Sequence, residues 1–313
     1  MRFLDVKTDY AFKKVFGSTE SKPILISFLN ALIAFPKDKE VTDLTIVDPY
    51  QIPLLQGMKD TYVDIKARLA DGREVIVEMQ VLNVKGFEQR ILYNAAKSYS
   101  RQLREGEDYA LLNPLIALTL TDFTLFDGED VCNRFLLLEK ERFIQYRDDI
   151  ELIFFELPKF SLQESQLATI QDKWLYFVKN AGRLNVVPNA LDEEPIREAF
   201  AIANTAALSP AELEQQERRH DFIRLQRGAQ EKAFEDGQAL GEAKGLVLGE
   251  AKGLALGEAK GLALGEAKGR AEGEQAKALA VARNLLPVLD DAAIAAATGL
   301  DLGTVAQLRR GKV

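Results

Sequence analysis

Residues 61–81 read TYVDIKARLADGREVIVEMQV, and the way this stretch pairs with itself decides what the rest of the chain builds. Val63, Ile65, Ala67 and Leu69 alternate with other residues before Asp71-Gly72, and Val75, Val77, Met79 and Val81 alternate after it. That is the pattern of a β-hairpin with one apolar face. Paired residues share a face, so the loop length can be tested. A two-residue turn at Asp71-Gly72 sets Leu69 against Glu74 and Val63 against Gln80, mixing apolar with polar. A three-residue loop, Ala70-Asp71-Gly72 with left-handed glycine, pairs Val63 with Met79, Ile65 with Val77 and Ala67 with Val75. The apolar pattern selects the second register.

The same register sets Asp64 opposite Glu78 and Arg68 opposite Glu74, with Gln80 following on the face of Glu78. Like charges directly across a ladder repel unless something positive lies between them. A hard divalent cation does this, since Mg²⁺ takes carboxylates, a main-chain carbonyl and waters. The alternative is a solvated hairpin face whose acids meet water or a lysine.

Composition narrows the chemistry. The chain has 313 residues, enough for one sizeable core and an appendage. Cys132 and His220 are the only residues of their types, which excludes a Cys/His zinc site and argues against a Ser-His-Asp triad. There is no 18-residue apolar run, and Met1 to Gly17 lacks the apolar middle of a signal peptide, so a soluble cytoplasmic protein is expected. Net charge is −8, but residues 1–105 carry 16 basic and 14 acidic side chains, whereas residues 106–205 carry 9 and 18. Any nucleic-acid contact would depend on a local patch near the hairpin.

Asp64 followed by Glu78-Met79-Gln80 after a glycine-turn hairpin resembles the metal-binding core of PD-(D/E)XK nucleases. More narrowly, Thr8 to Gly17 (TDYAFKKVFG), Phe28-Leu29-Asn30, the Asp64–Gln80 hairpin, Arg90-Ile91-Leu92-Tyr93 and the tail ARNLL at 282–286 resemble the Rpn-type recombination-promoting nucleases, a transposase family. The resemblance implies an α/β restriction-endonuclease-like core, a mixed sheet flanked by helices. It also implies Mg²⁺ or Mn²⁺ held by Asp64, Glu78 and the Met79 main-chain carbonyl, with Asp9 as a further candidate ligand. Asp64, Glu78 and Gln80 would then be the catalytic set, and DNA the substrate. Gln80 stands where the broad superfamily has lysine, although the narrower family commonly carries glutamine there.

Around the hairpin, Thr8 is a candidate N-cap for a helix from Asp9 to Phe16, and Pro23 opens a second helix to about Ala34. Leu44–Val47, Leu115–Phe123, Arg134–Leu138 and Leu152–Leu157 read as strands. Gly86–Arg104, Gln163–Gly182 and Glu194–Ala207 read as helices, the second with Trp174 as a core residue. On the first of these, Arg90, Lys97, Arg101 and Arg104 fall in one stripe opposite Ile91, Leu92, Ala95, Tyr99 and Leu103. Such a stripe is either a phosphate-contacting surface or the solvated face of an amphipathic helix.

Composition changes at Ser209-Pro210. The expected divisions are a nuclease-like domain at 1–207, a charged helical linker at 208–236, a glycine-every-four repeat at 237–273 and a small helical tail at 274–313. The repeat's clearest unit is Gly-Glu-Ala-Lys-Gly-Leu-Ala-Leu, strong helix formers apart from glycine. It is expected to be a frayed linker or a helix stabilised by self-association into a homo-oligomer. Its charged residues exclude a membrane span. In the tail, Ala295, Gly299, Leu300 and Val305 take the relative positions of a helix-turn-helix core, a pattern that a helical cap also produces. Two function classes follow: a Mg²⁺-dependent DNA endonuclease, or a non-catalytic protein on an inactive nuclease fold that binds DNA or oligomerises.

Overall fold

The computed structural model describes residues 2–51 and 61–311. It divides into two compact units, Met1–Gln230 and Glu231–Val313. The first opens with helices α1 (Asp9–Phe16) and α2 (Lys22–Ile33), followed by strands β1 (Leu44–Val47), β2 (Tyr50–Gln51), β3 (Thr61–Tyr62), β4 (Ile65–Leu69) and β5 (Glu74–Gln80). Helix α3 (Phe87–Ser100) leads to β6 (Leu115–Thr121), β7 (Cys132–Phe135) and β8 (Ile150–Glu156). Helices α4 (Ile170–Asn180) and α5 (Glu194–Ala203) precede the long α6 (Pro210–Leu285).

Six strands make one mixed sheet in the order β1-β4-β5-β6-β8-β7. β1, β4 and β5 are antiparallel neighbours, β5, β6 and β8 are parallel, and β7 closes the edge antiparallel to β8. The hairpin has the register that the apolar pattern selects: Ile65 pairs with Val77, Ala67 with Val75 and Arg68 with Glu74. Its three-residue loop places Gly72 at φ +92°, a conformation that a Cβ would strain.

Alternation in β5 sends side chains to two cores. Val75, Val77 and Met79 join the large cluster under α1, α2, α4 and α5, where Phe12, Phe16, Phe28, Trp174 and Phe177 interlock. Ile76 faces the other way, packing with Ala95 of α3 and with Leu115 and Ala117 of β6. The fold is therefore an α/β sandwich, with α3 and the loop residues Phe123, Leu125 and Phe126 packed on the face that carries Glu78.

Several expectations are corrected. Val63 does not pair with Met79: it packs on the α3 side, because the strand bends at Val63-Asp64 before β4 begins. Thr8 stands at the N-cap of α1 as expected, but its hydroxyl lies 3.0 Å from Asp5 O and from Gln216 Oε1 instead of capping a helix N–H. Helix α4 starts at Ile170 rather than Gln163, where Thr169 and Asp172 form a reciprocal capping box.

The expected boundary at residue 207 also shifts. Residues 210–230 of α6 pack on the first unit rather than linking away from it. Lys14 Nζ lies 2.8 Å from Glu212, Arg219 pairs with Asp9 at 2.8 Å, and Arg227 pairs with Asp122 at 2.6 Å. Gln230 donates to Asn83 O at 3.1 Å, the last of these ties.

In the second unit the repeat is helical throughout, as part of α6. A Cβ built on any glycine from Gly237 to Gly273 meets nothing within 4 Å. Each glycine costs the helix about 0.8–1 kcal/mol relative to alanine. Beyond it, α7 (Asp291–Thr298) and α8 (Leu302–Arg309) are capped by Asp290 and Asp301. They enclose a small core of Ala282, Ile294, Val305 and Leu308. Of the expected tail positions, Ala295 and Leu300 only border this core, whose centre is Ile294. Arg309 is held by Asp291 and by the carbonyls of Leu286 and Leu289. Among the described residues no helix is long and apolar enough to cross a membrane.

Candidate metal centre

The bend before β4 brings Asp64 to the sheet. Its Oδ2 accepts the Met79 main-chain N–H at 2.8 Å, and its Oδ1 lies 3.3 Å from Lys13 Nζ of α1. The side chain thus takes a ladder position that a backbone carbonyl would otherwise fill. Burial raises the Asp64 pKa, opposed by the Met79 N–H and by Lys13.

Glu78 projects from β5 beneath α3 and is 6% exposed. Asn94 Nδ2 donates to its Oε1 at 2.7 Å, and Arg90 approaches its Oε2 at 3.6 Å. Burial pushes the Glu78 carboxyl up to about 7. Asn94 and Arg90 oppose that shift and the negative charge of Asp64 adds to it. The two acids are therefore electrostatically coupled, and each is buried beyond what its own hydrogen bonds offset. A carboxyl perturbed by burial and by a specific charged neighbour is a functional-site candidate.

Gln80 follows on the same face, with both ends of its amide engaged. Its Nε2 donates to Leu82 O at 2.8 Å and its Oε1 accepts from Arg90 at 2.8 Å. Arg90 thus bridges Gln80 and Glu78, its guanidinium 5.3 Å from the centre of the Phe87 ring.

The proposed basic stripe on α3 needs correction. Arg90, Asn94 and Lys97 recur at helical spacing, and this face turns inward over the acids. Lys97 is 5% exposed and reaches Thr61 Oγ1 at 3.4 Å, so it is no part of a solvated surface. Leu92, expected inward, is 54% exposed. The helix ends at Ser100, which leaves Arg101 at its C-cap and Arg104 beyond it. A face that must cover a buried carboxylate cannot be wholly apolar, and the cations occupy that part of it.

Asp9 does not join the acids as a third ligand. Its carboxylate pairs with Arg219, and among the described residues no three His, Cys, Asp or Glu side chains gather around one point. It lies near enough for its charge to raise Asp64. A cavity of about 500 Å³ bordered by Asp9, Lys13, Arg219 and Phe222 opens beside Lys13.

The donor set suits a hard divalent cation: two carboxylates, one at the bend before β4 and one in β5, and main-chain oxygen, without sulfur or imidazole. Asn94 Oδ1 is a further buried oxygen with no hydrogen-bond partner. Mg²⁺ keeps several waters, so two carboxylates are sufficient protein ligands. Asn94 and Lys13 escaped the sequence reading. The available signal for Asn94 was an amide amid the apolar positions of α3, four residues after Arg90. Lys13 was visible only as one of two adjacent lysines in α1.

A family model described as PD-(D/E)XK nuclease family transposase matches residues 6–231, ending one residue beyond the first compact unit. No curated protein and no solved structure is matched.

Proposed function

The chain belongs to the PD-(D/E)XK nuclease family transposases, and from that membership we propose that it is a metal-dependent DNA endonuclease acting in recombination or on mobile elements. The observation that carries the reading is the pair Asp64 and Glu78, two buried carboxylates with raised pKa, one just before β4 and one in the neighbouring β5.

Asp64, Glu78 and the Met79 carbonyl would hold Mg²⁺ or Mn²⁺. When bound, the ion would supply an acidified water and charge neutralisation at the scissile phosphate. The residues of the chain do the rest. Lys13 and Arg90 lie beside the carboxylates and favour their ionised forms, against the opposing effect of burial. Asn94 and the Met79 N–H aim them. Gln80, with Oε1 taken by Arg90, retains one amide hydrogen to orient water or a phosphate oxygen. In the hydrolysis the water oxygen would bond to phosphorus as the bond to the leaving sugar oxygen breaks; the water's proton would pass to a carboxylate or solvent, and the leaving oxyanion would take a proton from solvent. Arg101 and Arg104, at the solvent end of α3, are the candidate phosphate contacts, and Arg90 a third at the centre.

Nicking of supercoiled DNA tests this, with Mg²⁺ or Mn²⁺ present or chelated and with Asp64→Ala alongside. Metal-dependent nicking that Asp64→Ala abolishes is expected. One observation favours the rival, a DNA-binding or oligomerising protein on an inactive nuclease fold. The chain's own Lys13, Asn94 and Arg90 already sit against the acids, and both ends of the Gln80 amide are engaged. DNA retained on the protein without nicking under any metal, and no gain with Gln80→Lys, would select that rival.

A further inference from the structure

Between Gly237 and Gly273, α6 is an exposed helix made of four columns of residues. Glycine fills the first. The second alternates acid and leucine, as in Glu250, Leu254, Glu258 and Leu262. Alanine fills the third, apart from Val247. The fourth alternates lysine and leucine, as in Lys252, Leu256, Lys260 and Leu264. The seven leucines of the second and fourth columns, Leu240 to Leu264, are 57–72% exposed.

Neither the leucines nor the charges are matched within the chain. Glutamate and lysine two residues apart point to different sides of a helix and cannot pair. Among the described residues, the ion pairs of α6 beyond Gln230 are Lys232–Asp236, Lys268–Glu272 and Arg270–Glu274, which leaves Glu250, Lys252, Glu258 and Lys260 without partners. Exposed aliphatic rows of this length mark an interaction surface.

We propose that a second copy of this chain covers the repeat, parallel and in register, with glycine column against glycine column in a right-handed wrap. A four-residue period exceeds 3.6, so a seam that follows it winds right-handedly. Rows of small residues at this spacing allow the close right-handed crossing known for helix pairs. The flanking columns choose the partner and its direction. In a parallel pair related by a two-fold axis along the helices, the acid/leucine column of one copy adjoins the lysine/leucine column of the other on both flanks. Glu250 then meets Lys252 of the second copy, and Leu254 meets Leu256. In an antiparallel pair each column adjoins itself, and between Glu242 and Glu266 the second column offers no cation to stand opposite a glutamate. The repeat's last unit keeps this rule. Arg270 takes a leucine place in the second column and Glu272 takes one in the fourth, so the two flanks remain opposite in sign.

Spin labels on the full chain test the direction. In a Cys132→Ser background, a label is placed at Ala239→Cys or at Ala271→Cys, both on the column opposite the seam. Two copies labelled at 239 should give a short distance. A mixture of 239-labelled and 271-labelled protein should give a long one, on the order of 48 Å for 32 residues of helix. The reverse pattern, or no intermolecular distance at all, overturns the proposal. Charge variants test the flanks. Lys244, Lys252, Lys260 and Lys268→Glu makes both flanks acidic, and Glu242, Glu250, Glu258 and Glu266→Lys makes both basic. Each variant alone should associate at least tenfold more weakly by sedimentation, and mixing the two should restore association. Association of either variant alone at the level of the unaltered chain would sink the idea.

Discussion

Glu78 and Glu156 are both buried glutamates on parallel-paired parts of one sheet, yet they titrate in opposite directions. Burial pushes both up. At Glu156, at the end of β8, hydrogen bonds outweigh it: the N–H groups of Leu125 and Phe126 donate to Oε1, and Lys159 Nζ lies 2.6 Å from Oε2. Asn133 adds a fourth donor at 3.2 Å, and the carboxyl ends below its ordinary value. Glu78 has one short hydrogen bond, from Asn94, and a longer approach by Arg90, and it rises to about 7. The difference separates two uses of a buried acid. Glu156 is satisfied by the protein and pins the loop after β6. Glu78 is left short of positive charge, which is the condition of a site that takes a ligand.

The largest expected effect tests the structural side. Glu156→Gln leaves Lys159, whose side chain is 7% exposed, without its counter-charge. Breaking a buried pair from one side costs about 3–5 kcal/mol. For a unit of this size that is a fall in melting temperature of roughly 6–20 °C. An unchanged melt at pH 7 would break the comparison, since Glu156 would then be no better held than Glu78.

The second effect lies in pH dependence, where the two acids have opposite signs. The folded-state pKa of Glu78 is raised from 4.5 to about 7, so its stabilising contribution is full below pH 4.5 and is lost as pH rises through 7. Two and a half units correspond to about 3 kcal/mol. Glu78→Gln should therefore gain on the unaltered protein in denaturant melts between pH 5 and 8 while losing nicking activity. Glu156, lowered, contributes stability that is present above pH 4.5 and lost as pH falls through its folded pKa. Parallel pH profiles for the unaltered protein and Glu78→Gln would remove the electrostatic argument for the site.

Metal should act on one region alone. At a hundredfold excess over Kd, an ion that binds only the folded state stabilises it by about 2.7 kcal/mol. Mg²⁺ or Mn²⁺ should raise the melting temperature of the unaltered protein and of Glu156→Gln, but not that of Asp64→Asn. Because the ion competes with the proton on Glu78, the rise should grow from pH 6 to pH 8. A metal shift that survives Asp64→Asn would place the ion elsewhere.

The smallest effects distinguish the cations of α3. Arg101→Ala and Arg104→Ala should each reduce the salt-dependence slope of DNA binding by about 1 with little change in melting. Lys97→Met should lower the melting temperature and leave that slope alone, since the ammonium is buried. Equal loss of slope in all three would restore Lys97 to the DNA-facing surface.

What was legible in the sequence was local. The hairpin register followed from the two-residue period, and the loop followed from keeping apolar residues on one face. The placement of Trp174 in the core followed from the apolar face of its helix. Asp64, Glu78 and Gln80 stood out because their spacing survives in any fold that keeps the hairpin. The boundary at residue 207 was misplaced because composition changes at Ser209-Pro210, whereas packing continues to Gln230.

By itself, then, the sequence determined the hairpin register from Ile65–Val77 to Arg68–Glu74, since periodicity and turn chemistry act between residues close in the chain. Only the tertiary structure decided what the site's carboxylates meet. Lys13 reaches Asp64 from 51 positions away, Asn94 reaches Glu78 from 16, and Arg219 draws Asp9 away from 210. The polar face of α3 turns inward for the same reason. A charge's partner is chosen by which elements pack together, and the cost of burying Glu78 alone exceeds any preference of an isolated helix for keeping its cations in water.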